Sequence, residues 1–258
     1  MLKTIVGYYF ILFLLPLGLH AAYWKASDHG QGWAEADWSS AGLLPAAAAK
    51  PEALVHVYAG RVGSWRGALA HHTWIVVKEK GAARYSRFDK VAWGQPVRQN
   101  GWAPDGRWYG HTPELLGAVE GAAAEILIPK IRAAIAAYPY SRSGDYSLWP
   151  GPNSNSFVAY VLESVPGIGI ALPSTAIGKD WRIVGRWFGP TPSGTGYQVS
   201  FLGLLGISVG RAEGIEVNAL GLVLGVDLFH PAIKLPGFGR IGLPLPALAA
   251  HETPDIGG

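Results

Sequence analysis

Apolar and polar positions change their pattern along the chain, and the first part is apolar almost throughout. An uncharged run over residues 5–19 follows Lys3 at the N-terminus. Such a run predicts a cleavable export signal or a membrane-spanning helix, which needs roughly 20 apolar residues. We therefore expect residues 1–24 to be a signal peptide or an N-terminal membrane anchor. Residues 25–53, with scattered Gly, Trp and Ala, predict an irregular stalk.

Short β-branched runs begin after this stalk and predict a sheet. Residues 54–58, 72–77 and 83–88 are of this type, and each is four to eight residues long, as strands usually are. Glycines between the runs fit short connections. Because short connections favour antiparallel neighbours, we expect the three strands to pair antiparallel.

Helix signals follow the predicted strands. Thr112, Pro113 and Glu114 supply a cap, a first-turn proline and a first-turn acid, and they predict a helix start. A second helix is expected to begin at Pro129, with apolar residues on one face. A third is expected over residues 154–163, behind a turn rich in proline and glycine.

Glycine-punctuated β-type runs predict a small meander in the last part of the chain. The four runs cover residues 197–201, 206–209, 214–218 and 220–226. Several later prolines predict an extended tail. We therefore expect an α+β fold, with an antiparallel sheet and helices over residues 54–190 and a C-terminal β-rich extension over residues 191–258.

Composition and charge narrow the classes of function. Hydrophobic residues make up 49% of the chain, which is too many for disorder, and the net charge of +3 is not gathered in a basic run. We therefore expect no nucleic-acid partner. The absence of cysteine excludes disulfides, thiolate nucleophiles and cysteine-ligated zinc. His56, His71 and His72 lack the spacing of a metal site, and no cofactor motif is seen, so we expect neither metal nor cofactor.

His72 and Ser154 form the best candidate catalytic pair. His72 opens a predicted strand, and Ser154 opens a predicted helix, whose first N–H groups and dipole stabilise negative charge. An imidazole within hydrogen-bond reach could take the serine proton. Since a hydroxyl is far less acidic than a thiol, Ser154 would depend fully on His72. Asn153 and Ser154 are also common helix-capping residues, so a purely structural role is the alternative.

Other candidate residues are assigned no definite role. Asp89 and Glu79 lie in the right region to orient His72 but match no motif, so no third catalytic residue is named. Several tryptophans could line a glycan or lipid cleft or could fill the core. They include Trp65, Trp93, Trp102, Trp108 and Trp149.

The two candidate segments resemble the circularly permuted papain-like hydrolases, especially the PPPDE group and its NlpC-type relatives. In those proteins a His-Thr-x-hydrophobic-Val-Val strand precedes an Asn-Cys-Asn-x-Phe helix start. Here residues 72–77 read His-Thr-Trp-Ile-Val-Val, and residues 153–157 read Asn-Ser-Asn-Ser-Phe. The resemblance covers residues 54–165 and implies a permuted papain-like core, with His72 as the histidine and Ser154 in place of the nucleophilic cysteine.

The whole chain also resembles an uncharacterised bacterial family of membrane-associated proteins. A Trp-Pro-Gly-Pro-Asn-Ser-Asn stretch and a Lys-Leu-Pro-Gly-Phe-Gly-Arg tail recur in that family, and both are present here, at residues 149–155 and 234–240. The family is a domain of unknown function. This second resemblance therefore implies membrane association without naming an activity.

Together these features predict an envelope-facing module that binds an envelope peptide, glycan or lipid without catalysis. The alternative is a serine-dependent amide or ester hydrolase or acyltransferase, using Ser154 and His72 on peptidoglycan peptides or lipids. We expect a single N-terminal span in the cytoplasmic membrane with the domain on the periplasmic side, or export after cleavage.

Overall fold

Two antiparallel sheets and an N-terminal helix organise the chain in the computed structural model, which describes residues 2–27, 31–183 and 185–244. The α+β class expected from the sequence is therefore confirmed. The helices are α1 (Leu2–Ala26), α2 (Gly121–Ala136) and α3 (Ser154–Ser164). The first sheet contains β1 (Leu54–Arg61), β2 (His71–Lys78), β3 (Ser86–Lys90), β4 (Val97–Gln99) and β5 (Glu114–Glu120). The second contains β6 (Phe188–Pro190), β7 (Gly196–Phe201), β8 (Leu205–Gly210), β9 (Gly214–Ala219), β10 (Leu222–Asp227), β11 (Ala232–Leu235) and β12 (Gly239–Gly242).

Helix α1 is long and apolar enough to cross a membrane or to act as a signal sequence. Phe13, His20 and Trp24 are its buried side chains, and their spacing of seven and four residues puts them on one face. His20 Nδ1 lies 2.7 Å from the Ala68 carbonyl oxygen, and Trp24 Nε1 donates to the Ser64 carbonyl oxygen at 3.1 Å. The C-terminal half of α1 is thus docked on the rest of the protein.

The first sheet has the strand order β4-β3-β2-β1-β5. The three predicted strands and their antiparallel pairing are confirmed, with Val57 opposite Ile75 and Ile75 opposite Phe88. These apolar side chains face α2 and α3 in the main core, where Ile131 and Phe157 are fully buried. The core therefore lies between the sheet and the two helices.

The opposite face of the first sheet is covered as well. Residues 31–49, where an irregular stalk was expected, form one 3₁₀ turn at Ala47–Ala49 and otherwise irregular chain. Trp38 from this segment packs against the cluster of buried side chains that includes Trp74 and Trp108. Because both faces are covered, β1 and β2 are buried along nearly their whole length.

Two of the predicted helix starts are wrong. The segment Glu114–Glu120 is strand β5 rather than a helix, because it pairs antiparallel with β1 and completes the sheet. The capping signal at residues 112–114 reflects only neighbouring residues, and the pairing of this segment with β1 outweighs it. Helix α2 begins at Gly121 instead of Pro129, because the alanines at 122–124 favour the helix and the chain tolerates a proline inside it.

The predicted third helix and the predicted meander are confirmed. Helix α3 covers the expected residues, and strands β7 to β10 coincide with the four glycine-punctuated runs. Where an extended tail was expected, strands β11 and β12 continue the sheet. Residues 245–258, the end of the expected extension, lie outside the described residues.

A buried network of charged side chains lies on the inner face of the second sheet. Lys179 Nζ donates to Asp180 Oδ1 at 3.0 Å and to Glu216 Oε2 at 2.6 Å, and Lys234 Nζ donates to Glu216 Oε1 at 2.6 Å. Asn218 Nδ2 donates to Asp180 Oδ2 at 2.8 Å. Two cations and two carboxylates balance, so the network attaches the sheet to the rest of the protein without unpaired charge.

Replacing Glu216 with Gln tests the importance of this network. The change leaves two buried lysines with one carboxylate, and we expect the free energy of unfolding to fall by about 3–5 kcal/mol. Glu125→Gln breaks the exposed Lys80–Glu125 pair, with side chains 70% and 41% exposed, and should cost under about 1 kcal/mol. Urea unfolding followed by tryptophan fluorescence would measure both, and equal losses would contradict the prediction.

Candidate functional site

Helix α3 is capped at its N-terminus by Asn153, so the next residue, Ser154, is not needed as the cap. Asn153 is the N-cap, and its Oδ1 accepts from the backbone N–H groups of Asn155 and Ser156. Ser156 Oγ accepts in turn from the Asn153 N–H at 2.7 Å, which completes a capping box. The structural alternative for Asn153 is therefore correct. Ser154 is the first helical residue and plays no part in this capping.

Asn155 joins this helix start to strand β2. Thr73 Oγ1 donates to Asn155 Oδ1 at 2.9 Å, and Asn155 Nδ2 donates to the carbonyl oxygens of His71 and Ile177. Asn155 is buried, and both polar atoms of its amide group are satisfied by these three hydrogen bonds. The junction holds the residue before Asn155, which is Ser154, beside the strand end that carries His72.

His72 is paired with an aspartate that sequence reasoning did not assign. Its Nε2 lies 2.8 Å from Asp89 Oδ1, and both side chains are buried. Arg87 holds the same carboxylate from the other side, with Nε donating to Oδ2 at 2.8 Å and Nη2 to Oδ1 at 2.9 Å. The Arg87 guanidinium is itself stacked over Trp74, 3.9 Å from the ring centroid.

The charge states of this pair follow from its surroundings. Burial alone would raise the pKa of Asp89, but the Arg87 charge and the hydrogen bonds hold it below its ordinary value. Burial lowers the pKa of His72, although the hydrogen bond and charge of Asp89 oppose this. The imidazole is therefore neutral beside an ionised carboxylate, so Nε2 carries the proton and Nδ1 is a lone-pair acceptor.

Trp108 fixes the plane of the His72 ring. The two rings are stacked with centroids 3.9 Å apart and an angle of 9° between their planes. Together with the Asp89 hydrogen bond, this stacking leaves the imidazole little freedom to rotate. An oriented histidine of this kind is what proton transfer at a fixed position requires.

Ser154 lies beside Tyr146. Burial raises the pKa of the Tyr146 phenol, and the proximity of the Ser154 hydroxyl and backbone N–H partly offsets this. Among the described residues, no hydrogen bond joins Ser154 to His72. Proton transfer from Ser154 to His72 would therefore require the two side chains to come into hydrogen-bond contact.

Both candidate catalytic residues line one large cleft. It has a volume of about 760 Å³, in the range of small-molecule sites. Five tryptophans and two tyrosines contribute to its wall: Trp33, Trp65, Trp93, Trp108, Tyr109, Tyr146 and Trp149. The expectation that tryptophans line a cleft thus applies to four of the five residues named for it, whereas Trp102 packs beneath the wall against Trp108.

Charge in the cleft wall is positive. Arg66 and Lys90 line it, and among the described lining residues there is no carboxylate. Arg66 belongs to the 3₁₀ turn Ser64–Ala68, which is also the docking site of Trp24 from α1. One side of the cleft is therefore formed by the turn on which the apolar N-terminal helix rests.

The remaining sequence candidates lie elsewhere or are held in structural bonds. Glu79 pairs with Arg132, away from His72. His71 Nδ1 lies 2.7 Å from Thr175 Oγ1, and His56 bonds to Tyr58 and Glu120. Within the described residues, no group of three or more His, Asp or Glu side chains could hold a metal ion.

Asp89 could be named as a candidate but not assigned from the sequence, because its role depends on the register of the sheet. It lies 17 residues beyond His72, at no recognisable spacing, and only the pairing of β2 with β3 brings the two side chains together. The available signal was the alternation of β3, which puts Arg87 and Asp89 on the same face.

The fold and the site define the class of protein. It is an α+β protein in which a serine and the histidine of a buried His–Asp pair line one aromatic cleft. The family model described as protein of unknown function (DUF3750) matches residues 52–181, just over half of the chain, and the chain belongs to this family. The match includes His72, Asp89 and Ser154. No curated protein and no solved structure matches the chain.

Buried histidines make the protein sensitive to acid. Burial lowers the pKa of His71 from 6.5 to about 3, and the charges of Arg61 and neighbouring histidines make a smaller contribution in the same direction. Between these values the unfolded chain binds a proton that the folded chain does not, so the free energy of unfolding falls as the pH drops below about 6.5. The slope from His71 is at most about 1.4 kcal/mol per pH unit.

His71→Asn tests this contribution. The asparagine can still reach Thr175 but does not titrate, so we expect the unfolding free energy of the variant to fall less steeply between pH 6.5 and pH 4 than that of the parent protein. Chemical unfolding at several pH values measures both slopes. Identical slopes would contradict the prediction, because they would show that His71 binds its proton equally well in the folded and unfolded states.

Proposed function

We propose that this protein is a serine-dependent acyl hydrolase or acyltransferase that acts on membrane lipids, with Ser154 as nucleophile, His72 as general base and Asp89 as the group that orients the base. The observation that carries the proposal is the buried hydrogen bond of 2.8 Å between His72 Nε2 and Asp89, in the wall of the cleft that Ser154 also lines. A serine, a histidine and an orienting acid are the three parts that such chemistry needs.

The reaction would proceed through an acyl-enzyme. His72 Nδ1 takes the Ser154 proton as Oγ attacks the substrate carbonyl carbon, and the carbonyl π electrons move onto oxygen. That oxyanion lies at the N-terminus of α3, where the helix dipole stabilises it. The carbonyl re-forms, the bond to the leaving group breaks, and His72 returns the proton to the leaving group. Water or an acceptor hydroxyl then releases the acyl group by the same steps.

The cleft wall supports a lipid as substrate. Its aromatic side chains suit an acyl chain, and the exposed Arg66 suits an anionic head group. The docking of α1 on the Ser64–Ala68 turn supports a place for the cleft near a membrane. Peptidoglycan peptides, the other substrate class considered, would be expected to require more hydrogen-bonding groups than this wall offers.

The permuted papain-like core belongs to this proposal. It is supported by the order of the elements, because the strand with His72 precedes the helix with Ser154, and the Thr73–Asn155 hydrogen bond ties the two. We also propose the domain division into residues 1–24, 25–53, 54–190 and 191–258. Lys3 before the apolar run supports a cytoplasmic N-terminus and a periplasmic domain.

A binding module without catalysis is the second candidate function. The surroundings of Ser154 favour it, since the serine lies beside Tyr146 and, among the described residues, no hydrogen bond joins it to His72. On this hypothesis the serine has a structural role, and the cleft holds an anionic lipid without cleaving it. The two candidates share a ligand class and differ in the reactivity of Ser154.

A fluorophosphonate probe tests the nucleophile. We expect it to label the full-length protein and not Ser154→Ala, because only an activated serine attacks the phosphorus. Asp89→Asn should slow labelling by about 100- to 10,000-fold, since His72 loses its orientation and tautomer. Ser64→Ala is the matched control, because Ser64 lines the same cleft and should leave labelling unchanged. Equal labelling of the parent and Ser154→Ala would contradict catalysis.

Ser154→Cys gives a readout that needs no substrate. The chain has no other cysteine, so the rate of alkylation by iodoacetamide against pH reports one thiol. Beside His72 and at a helix start, its pKa should fall below the ordinary value of about 8.5, and His72→Gln should reverse the shift. An unshifted thiol would favour the binding module.

Trp65→Ala tests the ligand class for either candidate. The Trp65 side chain is exposed at the cleft wall, with the Arg66 guanidinium 5.3 Å from its ring centroid. We expect the variant to bind fluorescent phosphatidylglycerol about tenfold more weakly, a loss of about 1.4 kcal/mol. Leu43→Ala, an exposed apolar side chain outside the cleft, should bind as the parent does. Equal affinity of Trp65→Ala and the parent would contradict a lipid site in this cleft.

A further inference from the structure

The second sheet has its polar face inside and its apolar face outside. In β8, Ile207 and Val209 are 55% and 53% exposed, whereas Ser208 between them is 5% exposed. The same inversion occurs in β7, where Gln198 and Ser200 are buried. An antiparallel sheet with one face in water normally shows the opposite arrangement. The exposed side therefore needs an apolar environment of its own.

Strand register joins these side chains into continuous rows. Directly paired residues run across all seven strands, so the apolar positions of each strand are neighbours of those on the next. One row consists of Pro190, Tyr197, Val209, Ile215, Val226, Ile233 and Ile241. A second consists of Phe188, Val199, Ile207, Val217 and Leu224. We call the surface formed by these two rows the outer face.

The outer face is unusually large and carries no charge. Its seven strands have three to six residues each, and at about 3.4 Å per residue and about 4.8 Å between strands they span about 570 Å², near the upper limit of the largest patch on an ordinary soluble monomer. Within residues 185–244, all of them described, the exposed charged side chains are Arg186 and Arg211, and both lie outside the two rows. Two exposed cations beside an uncharged apolar surface suit anionic lipid head groups.

Helix α1 packs against the second sheet and is itself apolar. Its π-helical segment Phe10–Leu14 lies against β10, and Phe13 is buried there. The other side chains of that segment are exposed and apolar, as are those of the outer face. A helix suited to the bilayer thus lies directly beside the sheet.

We infer that the outer face of the second sheet is a membrane-contact surface that lies flat against one leaflet beside α1. This inference does not depend on the chemistry proposed for Ser154. The flat orientation follows from hydrogen bonding, because β6 and β12 are open edges whose unpaired backbone groups need water or head groups. Trp187 and Phe188 at the β6 edge are exposed aromatic residues of the type found at membrane interfaces.

Single cysteines at the outer face provide the test, because the parent chain has none. Ile207→Cys and Val209→Cys would each carry an environment-sensitive NBD dye in the full-length protein, reconstituted into vesicles of phosphatidylethanolamine and phosphatidylglycerol. Lys80→Cys, in the turn after β2, is the control at a charged and exposed position. Lipids with a nitroxide near the head group or at the end of the acyl chain would serve as quenchers.

The expected result has two parts. The dyes at 207 and 209 shift their emission to the blue and are quenched more by the shallow nitroxide than by the deep one, since an interfacial surface enters only about 5–10 Å. The dye at 80 shows neither effect. Blue-shifted emission without lipid quenching would mean that a second copy, a partner protein or residues 245–258 cover the face, and it would overturn the inference. Emission typical of water at 207 and 209 would overturn it as well.

Discussion

The junction between strand β2 and helix α3 is the constraint on which the cleft depends. Asn155 satisfies Thr73 and two carbonyl groups at once, in a position without access to water. A shift of α3 would leave those groups buried and unpaired, which is expensive, so the helix start has one position against the strand. That position determines where Ser154 lies relative to the strand end with His72.

A second constraint is the buried charge network of the second sheet. Glu216 is shared by Lys179 and Lys234, and these charges are stable inside only because they are paired. Since a strand alternates its side chains, strands that contribute polar groups to the interior must present their other side chains outward. The exposed apolar surface of this sheet is thus the counterpart of its polar interior. The same argument does not apply to the first sheet, which is covered on both faces.

Elements with a strong local pattern were predictable. Strands β1 and β2, helix α3 and the glycine-punctuated meander followed from residue type and period alone. The prediction failed at β5, where Thr112 to Glu114 have the form of a helix start, because pairing with β1 is a non-local interaction that the local signal cannot report. It also failed at the start of α2, where alanine propensity outweighed Pro129 as a boundary.

The candidate site divides in the same way. The sequence by itself determined the apolar N-terminal helix, the histidine at a strand start and the serine at a helix start, because each depends on neighbours within a few residues. Only the tertiary structure decided that Asp89 holds His72 and that tryptophans from distant segments surround Ser154. It also decided which side of the alternating meander is exposed. Alternation of apolar and polar residues shows that a strand has one apolar and one polar face. What covers each face depends on the packing of the whole chain.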